Sequence, residues 1–248
     1  MPDHSHETTS LKGKRVLITG GTTGIGRATV LRLTRDGARI LTLGRDPAPL
    51  DETLRSGGLP AQAGMTADTS RREDVERVFA AVDSRLGGLD ILICCAALGA
   101  DPLLEMPDAD WRYAVETNLL GYMACARAAL ERMVAQGSGH IVLISSISAD
   151  ILAPGESVYA ATKAGIDAFA LTLRKELMDK NIRISLIAPG SVGSDMQECS
   201  AAEQREAIAK QEMLFAEEIA EAIRFVLTRS ARCDIADLRI EPLRQKVA

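Results

Sequence analysis

Short runs of apolar and β-branched residues alternate along the chain with longer segments in which apolar residues recur at helical spacing. The short runs predict strands at RVLIT (15–19), RILTL (39–43), LPAQAGM (59–65), LDILICC (89–95), HIVLIS (140–145), RISLIAP (183–189) and DLRIEPL (237–243). The helical spacing predicts helices over 24–36, 48–55, 70–86, 108–135 and 156–179, and two more that end near Thr228. Ser70 with Glu73 predicts a capping box at the start of the third helix.

This alternation predicts the fold class. Strands that are apolar on both faces and separated by helices form a parallel sheet that helices cover on each side. We therefore expect an α/β fold with one doubly wound domain over residues 11–248 and seven strands, because no linker or repeat divides the chain. The polar start, MPDHSHETTS, predicts a mobile leader over residues 1–10, in which His4 and His6 are expected to bind no metal.

Composition narrows the class of partner. The 248 residues include 29 basic and 34 acidic side chains, a net charge of -5, which argues against nucleic acid and favours a small molecule. Five cysteines, an odd number without framework spacing, indicate reduced thiols in a cytoplasm-like compartment and no disulfide. The longest near-continuous apolar stretch, 89–97, is shorter than the roughly 18 residues of a membrane helix. We therefore expect a cytoplasmic protein with no membrane partner.

The segment LITGGTTGIGR (17–27) places four glycines between the first strand and the first helix. In a doubly wound sheet, backbone amides and a helix N-terminus face a bound ligand at this turn. Gly20 is expected to let the chain turn sharply, Gly24 to let the backbone approach a pyrophosphate, and Gly26 to let the helix pack closely on the strand. A tight connection without a ligand is the alternative.

The spacing T-G-x-x-x-G-x-G, Thr19 to Gly26, resembles the short-chain dehydrogenase/reductase family, and further motifs extend the resemblance from about Leu11 to the final strand. The resemblance implies a Rossmann-type, mostly parallel sheet of strand order 3-2-1-4-5-6-7 with helices on both faces, and a nicotinamide cofactor. Together with the glycine turn and the end of the second strand, it predicts the residues that would bind that cofactor: Gly20, Thr22, Thr23, Gly24, Ile25, Gly26, Arg45, Asp68, Thr69, Cys95, Ala96, Tyr159, Lys163, Pro189, Gly190, Val192 and Ser194.

Two of these assignments come from short motifs. Asp68 in MTADTS matches the aspartate that contacts adenine in the family, and the alternative is a carboxylate at a helix N-terminus near Ser70. The segment APGSVGSDM (188–196) resembles the family's P-G-x-x-x-T, with Ser194 in the threonine position. The resemblance implies that this second segment flanks the nicotinamide amide.

The end of the fourth strand departs from the family, which usually has Asn-Asn-Ala-Gly where this chain has Cys94, Cys95, Ala96 and Ala97. A thiol does not replace the hydrogen bonds of an asparagine amide, and the Ala97 methyl narrows the floor beside the cofactor. We expect cofactor affinity or orientation to change there. Both cysteines are interpreted as small hydrophobic residues, with a reactive thiol as the alternative.

Tyr159 and Lys163 stand four apart in a segment of helical pattern, which puts both side chains on one face of a helix. The nearby ammonium is expected to lower the pKa of Tyr159 from about 10 toward neutral pH, which would make the phenol a usable acid or base. A Y-x-x-x-K pair is common on solvated helices, so the hypothesis depends on the residues that accompany it.

Ser146, at the carboxyl end of the fifth strand, matches the family's catalytic serine, with Ser145 and Ser148 as alternatives. Asn118 in VETNLLG matches the fourth catalytic residue, and its alternative is an exposed position on a helix. The resemblance implies hydride transfer between a nicotinamide and a carbonyl or alcohol, in which Tyr159 gives the proton and Ser146 hydrogen-bonds the oxygen. In that scheme Lys163 also holds the nicotinamide ribose, and Asn118 fixes a water of the proton relay.

The second strand favours NADP over NAD. NAD enzymes of this topology usually place a carboxylate about 20 residues after the glycine turn to bind the ribose 2′-hydroxyl. Gly44 takes that position here and is expected to leave room for a 2′-phosphate, while Arg45 offers a fork of donors suited to it. The alternative is a solvated Arg45 with Asp46 turned inward to hold a ribose.

The substrate is less clearly indicated. The loop from about Met196 to Met213 is expected to cover the site, and its charged residues specify no ligand: Glu198, Glu203, Arg205, Glu206 and Lys210. The C-terminal segment is similar to the branch of the family that acts on 3-hydroxy acids and serine-like substrates, and a general ketone or alcohol reductase is the alternative. A redox sensor without turnover and an assembly scaffold remain further alternatives. The apolar faces of the helices over 108–135 and 156–179 indicate a homo-oligomer, a tetramer or a dimer.

Overall fold

The computed structural model describes residues 8–197 and 199–246, and its seven strands form one sheet of order β3-β2-β1-β4-β5-β6-β7 in which every neighbouring pair is parallel. The predicted doubly wound α/β fold and its strand order are confirmed. The strands are β1 (Arg15–Thr19), β2 (Arg39–Gly44), β3 (Gly64–Thr66), β4 (Ile91–Cys94), β5 (Gly139–Ile144), β6 (Ile182–Pro189) and β7 (Asp237–Ile240).

Helices cover both faces of the sheet. They are α1 (Gly24–Arg35), α2 (Pro47–Ser56), α3 (Arg72–Ala81), α4 (Asp108–Val115), α5 (Gly121–Gln136), α6 (Ser148–Ile151), α7 (Ser157–Leu177), α8 (Ala201–Ala209) and α9 (Ala216–Leu227). Leu17 and Leu92 point to one face, where they pack with α3, α5 and α7, while Val16 and Ile93 point to the other, where they pack with α1 and α9. Because successive strand residues face opposite sides, burial on both sides requires the unbroken apolar runs seen in the sequence.

The elements differ from the predictions at several places, of which three bear on the argument. The third strand is short, because residues 61–63 form a 3₁₀ turn before it. The long helix predicted over 108–135 contains a π-helical turn, Glu116–Leu120, between α4 and α5. The predicted capping box is wrong: α3 begins at Arg72, and the Ser70 hydroxyl donates to Asp68 Oδ1 at 2.8 Å instead of capping the helix.

The predicted leader lies mostly outside the described residues, as do His4 and His6. Thr9, near its end, is attached to the domain, because its amide donates to the Thr228 carbonyl at 2.9 Å and its hydroxyl to the Arg229 carbonyl at 2.9 Å. Leu11 is buried in the core. Within the described ranges, no helix combines the length and apolar character needed to cross a membrane.

Candidate active site

The glycine turn connects β1 to α1 in a conformation that other residues would not reproduce. Gly20 has a φ of +66°, and a Cβ there would lie 2.6 Å from the Cα of Ala96. A Cβ on Gly26 would lie 2.0 Å from the Gly20 carbonyl oxygen, so the helix packs on the turn at a distance that only glycine permits. Gly24 has a φ of +47°, and a Cβ there would lie 3.0 Å from the Ser194 Cβ.

The N-terminus of α1 offers free donors to the cavity beside it. The side chain of the preceding residue, Thr23, makes no capping hydrogen bond, and the first turn contains no acidic residue. The first amides of a helix have no partner within it and carry partial positive charge, which suits an anionic ligand. The turn therefore fits a pyrophosphate, and the residues around it fit the dinucleotide that the sequence predicts.

The cavity has a volume of about 880 Å³ and runs along the carboxyl ends of the strands. Its lining includes every residue that the sequence predicts to bind a cofactor: Gly20, Thr22, Thr23, Gly24, Ile25, Gly26, Arg45, Asp68, Thr69, Cys95, Ala96, Tyr159, Lys163, Pro189, Gly190, Val192 and Ser194. Ser146 lines it as well. Residues from distant parts of the chain meet here because all seven strands run in the same direction.

At the end of the cavity near β2, the side chain of Thr22 packs against Gly44. A Cβ on Gly44 would lie 2.3 Å from Cγ2 and 2.7 Å from Oγ1 of Thr22. The Thr22 side chain thus occupies the place where a side chain at position 44 would project, while Gly44 itself lines the cavity, and the room expected there for a 2′-phosphate stays a prediction. Thr22, Arg45 and Asp68 line this end of the cavity, and position 44 itself contributes no carboxylate to it.

The departure from the family at the end of β4 does not disturb the backbone there. The Thr19 hydroxyl oxygen accepts from the amides of Cys95 at 3.2 Å and Ala96 at 3.3 Å, which ties β4 to β1 without help from a side chain at either position. Burial raises the pKa of the Cys95 thiol to about 12 and that of Cys94 well above its ordinary value. Both thiols remain protonated, as expected for small hydrophobic residues.

Tyr159 and Lys163 lie one turn apart on α7, and Ser146 follows β5 beside them. Burial raises the pKa of Tyr159 to about 12, although the nearby Ser146 hydroxyl acts to lower it. The expected lowering of this pKa by Lys163 is wrong, because desolvation of the phenolate dominates. The phenol therefore carries its proton at neutral pH, the form that a general acid requires.

Lys163 is 1% exposed, and its Nζ donates to the Ile144 carbonyl oxygen at 2.9 Å. The Nζ lies 5.4 Å from the centroid of the Tyr122 ring and 5.6 Å from that of the Tyr159 ring. Burial lowers the pKa of Lys163 to about 8. The ammonium is thus held by a strand end and two aromatic rings rather than by a carboxylate.

Of the three candidate serines, Ser145 and Ser146 differ in the hydrogen-bond partners of their hydroxyls. The Ser145 hydroxyl donates to the Asp167 carboxylate, a partly buried contact. The Ser146 hydroxyl oxygen accepts from the Ser148 amide at 3.1 Å, and the two hydroxyls are 3.2 Å apart. Ser146 is the serine that acts on the pKa of Tyr159, so its hydroxyl is the better placed partner for a substrate oxygen beside the phenol.

Asn118 is fully buried in the π-helical turn and is absent from the cavity lining. Its Oδ1 accepts from the Leu98 amide at 2.8 Å, and its Nδ2 donates to the Leu98 carbonyl at 2.8 Å. The alternative of an exposed helix position is therefore wrong. A π-turn often marks a functional position, and here it directs Asn118 into the loop after β4.

The loop after β6 borders the cavity. Met196, Gln197 and Cys199 line the cavity, and Glu198 lies outside the described residues. The other charged residues of this loop serve α8 or solvent: Glu203 forms a capping box with Ser200, Lys210 pairs with Glu206 at 2.6 Å, and Arg205 is exposed. None of these four residues lines the cavity.

Comparison with known proteins decides the family. Residues 14–205 match the family described as short chain dehydrogenase. The chain belongs to this family. It is 36% identical to carbonyl reductase family member 4 of Danio rerio over 183 residues, 73% of this chain and 76% of that protein. It is 33% identical to the 3-oxoacyl-(acyl-carrier-protein) reductase FabG of Thermotoga maritima over 191 residues, 76% of this chain and 78% of that protein.

A solved structure agrees in fold. A crystal structure of an actinorhodin polyketide ketoreductase variant with NADPH superposes with a TM-score of 0.81 at 26% identity, covering 92% of this chain and 95% of that one. This short chain dehydrogenase is therefore an oxidoreductase whose relatives include carbonyl reductases and ketoreductases.

Two tyrosines of this short chain dehydrogenase were missed by the sequence analysis. Tyr113 on α4 contacts Arg45 and Asp68, and Tyr122 on α5 contacts Lys163. The chain has three tyrosines in all, and the third is Tyr159. Their scarcity, and the position of two of them within five residues of Asn118, was the signal that could have found them.

Proposed function

We propose that this short chain dehydrogenase is an NADP(H)-dependent oxidoreductase that reduces a small carbonyl compound or oxidises the corresponding alcohol. The observation that carries the proposal is the convergence of Ser146, Tyr159 and Lys163 on the cavity that the glycine turn borders. A bound nicotinamide supplies or accepts the hydride. The protein contributes alignment, proton transfer and stabilisation of the substrate oxygen.

Proton transfer is assigned to Tyr159. Because burial raises its pKa to about 12, the phenol holds the proton that a carbonyl oxygen takes up during reduction. Ser146 donates a hydrogen bond to the same oxygen as negative charge develops on it. One of the three N–H groups of the Lys163 ammonium donates to the Ile144 carbonyl. The other N–H groups would bind the nicotinamide ribose.

Asn118 acts on this scheme through the loop after β4. Its side chain binds both the amide and the carbonyl of Leu98, which lines the cavity. We propose that it positions this loop. The relay water implied by the family resemblance remains a prediction.

The 2′-phosphate of NADP would lie beside Arg45 and Thr22. Both residues line the cavity where β2 ends, and position 44 offers no carboxylate to bind a ribose 2′-hydroxyl. The alternative with Asp46 turned inward is disfavoured, because Asp46 is exposed and does not line the cavity. NAD remains the alternative cofactor and an arm of the test below.

One class of proposed substrate, the 3-hydroxy acids, carries a carboxylate. Lys246 would bind this carboxylate. Among the described residues of the lining, the cations are Arg45, Lys163 and Lys246, and the first two serve the cofactor and the catalytic group. Lys246 pairs with Glu212 at 2.7 Å, so a carboxylate would have to compete for it. The exposed Asp101 and the partly buried Glu156 also line the cavity, which favours an uncharged carbonyl over an acid.

The experiment is a panel of ketones, aldehydes, alcohols and 3-hydroxy acids assayed with NADPH, NADH and their oxidised forms. Turnover of one class with NADP(H) supports the proposal. Tight cofactor binding without turnover would support a redox sensor, and no cofactor binding would support a scaffold. A Lys246→Met variant that raises KM for 3-hydroxy acids alone would identify the acid as the substrate class.

Two further properties belong to the proposal. The five free thiols, two of them in the core and one exposed at Cys233, suit a reducing compartment such as the cytoplasm. The exposed Leu120 and Leu171, on neighbouring helical segments, suit burial between copies in a homo-oligomer, a tetramer or a dimer. Thiol titration of protein extracted under alkylating conditions tests the first property by counting the free thiols.

A further inference from the structure

Three side chains from three separate segments meet at the end of the cavity beside β2. Arg45 follows β2, Asp68 follows β3, and Tyr113 lies on α4. Arg45 Nη1 donates to the Tyr113 hydroxyl oxygen at 3.0 Å, and that hydroxyl donates to Asp68 Oδ2 at 2.5 Å. Arg45 and Asp68 line the cavity, whereas Tyr113 does not. Tyr113 therefore connects two residues of the cavity lining without lining the cavity itself.

The hydroxyl of Tyr113 uses both its donor and its acceptor capacity in this contact. Burial raises the pKa of Asp68, but the hydrogen bonds from Tyr113 and Ser70 outweigh it and hold that pKa below its ordinary value. The hydrogen bond to Tyr113 also raises the pKa of Arg45. A carboxylate and a guanidinium thus remain charged on opposite sides of one phenol, and the donor towards Asp68 strengthens the acceptor towards Arg45.

Tyr113 is also the anchor of an otherwise exposed arginine. Within residues 8–197 and 199–246, the Arg45 guanidinium hydrogen-bonds one side chain, that of Tyr113, and it lies 5.8 Å from the centroid of the same ring. An exposed arginine loses rotamer freedom when it binds a ligand, and part of that cost is removed if the side chain is already held. The bond uses Nη1, which leaves Nε and Nη2 as donors for a phosphate.

We propose that Tyr113 is a positioning residue for cofactor selection, which holds Arg45 at the cavity edge so that its remaining donors meet the 2′-phosphate of NADP. The inference rests on the proposed use of NADP. Tyr113 acts through Arg45 and makes no contact with the phosphate itself. Its hydroxyl therefore contributes to the affinity for ligands that carry a 2′-phosphate and not to the affinity for those that lack one.

The test uses Tyr113→Phe, which keeps the ring and removes the hydroxyl. Titration calorimetry measures binding of adenosine 2′,5′-bisphosphate and of adenosine 5′-monophosphate to the full chain. We expect the affinity for the bisphosphate to fall about tenfold, since a hydrogen bond to a charged group is at stake, and that for the monophosphate to change less than about twofold. KM for NADPH should rise by a similar factor with kcat unchanged.

Arg45→Met and the double variant Arg45→Met with Tyr113→Phe complete a mutant cycle. If Tyr113 acts through Arg45, the double variant binds the bisphosphate as Arg45→Met does. Equal weakening of both probes by Tyr113→Phe would assign Tyr113 to the shape of the adenine site and overturn the inference. Unchanged or tighter binding of the bisphosphate would overturn it too.

The same measurements distinguish failure of the NADP proposal from failure of the inference on Tyr113. If the unmodified protein binds the two nucleotides equally, NADP selection is wrong and the inference falls with it. If it prefers the bisphosphate and Tyr113→Phe keeps that preference, only the inference on Tyr113 fails. Thermal unfolding of each variant, unchanged within a few degrees, shows that loss of binding is not loss of fold.

Discussion

Lys163 and Tyr122 share one hydrogen-bond acceptor. The Lys163 ammonium donates to the Ile144 carbonyl oxygen at 2.9 Å, and the Tyr122 hydroxyl donates to the same oxygen at 3.3 Å. Both side chains are 1% exposed. The end of β5 thus holds the buried cation in place. Removing this charge from water lowers the stability of the folded protein, as is common for functional residues.

Replacing Lys163 with Met should therefore stabilise the protein while it nearly abolishes turnover. Burial lowers the pKa of Lys163 from 10.5 to about 8. The buried ammonium therefore lowers the free energy of unfolding in full below pH 8. This destabilisation disappears as the pH rises from 8 to 10.5, the pKa of Lys163 in the unfolded chain. At pH 7 we expect a gain in unfolding free energy of about 1 to 3 kcal/mol by denaturant titration. The exposed Lys175 offers a control, since Lys175→Met should change stability by less than about 0.5 kcal/mol. A less stable Lys163→Met at pH 7 would contradict this account.

Tyr159→Phe should leave cofactor affinity within a few-fold and lower kcat by about 10² to 10⁴. The ring remains to line the cavity, and only the proton donor is lost. Fluorescence titration with NADPH and steady-state assays separate the two effects. Turnover at the rate of the unmodified enzyme would refute the assignment of Tyr159 as the acid.

Arg45→Glu should lower kcat/KM for NADPH about 10- to 100-fold more than for NADH, because a carboxylate would repel the 2′-phosphate that we propose the guanidinium binds. Parallel assays with both cofactors give the ratio. Arg55→Glu, an exposed change on α2 away from the cavity lining, should leave the ratio unchanged. An unmodified enzyme that prefers NADH tenfold or more would show that the interpretation of this region is wrong.

His140 should make the protein lose stability as the pH falls below about 6.5. It is a buried residue of β5, its Nε2 lies 2.8 Å from Oγ of Ser185 on β6, and its Nδ1 has no hydrogen-bond partner among the described residues. Burial lowers its pKa from 6.5 to about 3. As the pH falls, the histidine of the unfolded chain therefore binds a proton before that of the folded chain does. The free energy of unfolding falls by about 2 kcal/mol by pH 5.

The measurement is denaturant unfolding of His140→Gln between pH 7 and pH 5. The variant should start less stable but show a flatter dependence on pH. A variant with both other histidines changed, His4→Gln and His6→Gln, should keep the dependence of the unmodified protein. If His140→Gln shows the same slope, another group is responsible.

The protein should be a homo-oligomer in solution. Leu120 is 53% exposed and Leu171 is 44% exposed, on helical segments that contact each other, and burial between copies would remove both from water. Multi-angle light scattering should give the mass of a tetramer or a dimer, and Leu171→Glu should shift it towards smaller species. A monomer at micromolar concentration contradicts the prediction.

Much of the fold was predictable because its signals are local. Apolar runs, helical periodicity and the glycine turn are each written within about twenty consecutive residues, and they led to the correct strand order through the family resemblance. The errors occurred where neighbours intervene. Ser70 was expected to cap α3, yet it binds Asp68, a competing partner two residues away. The π-helical turn at Asn118 carries no periodic signal of its own.

The sequence by itself determined the fold class, the family, and many of the residues that line the cavity, since these depend on residue type and spacing. Only the tertiary structure decided what those residues do to one another. The pKa of Tyr159 rises rather than falls because the packed fold removes water from it, and Thr22 packs against Gly44 because the turn folds back over β2. Arg45, Asp68 and Tyr113 meet although they are distant in sequence, because parallel strands end at one edge of the sheet. Desolvation and contacts between distant segments are properties of the packed chain, so no local pattern records them.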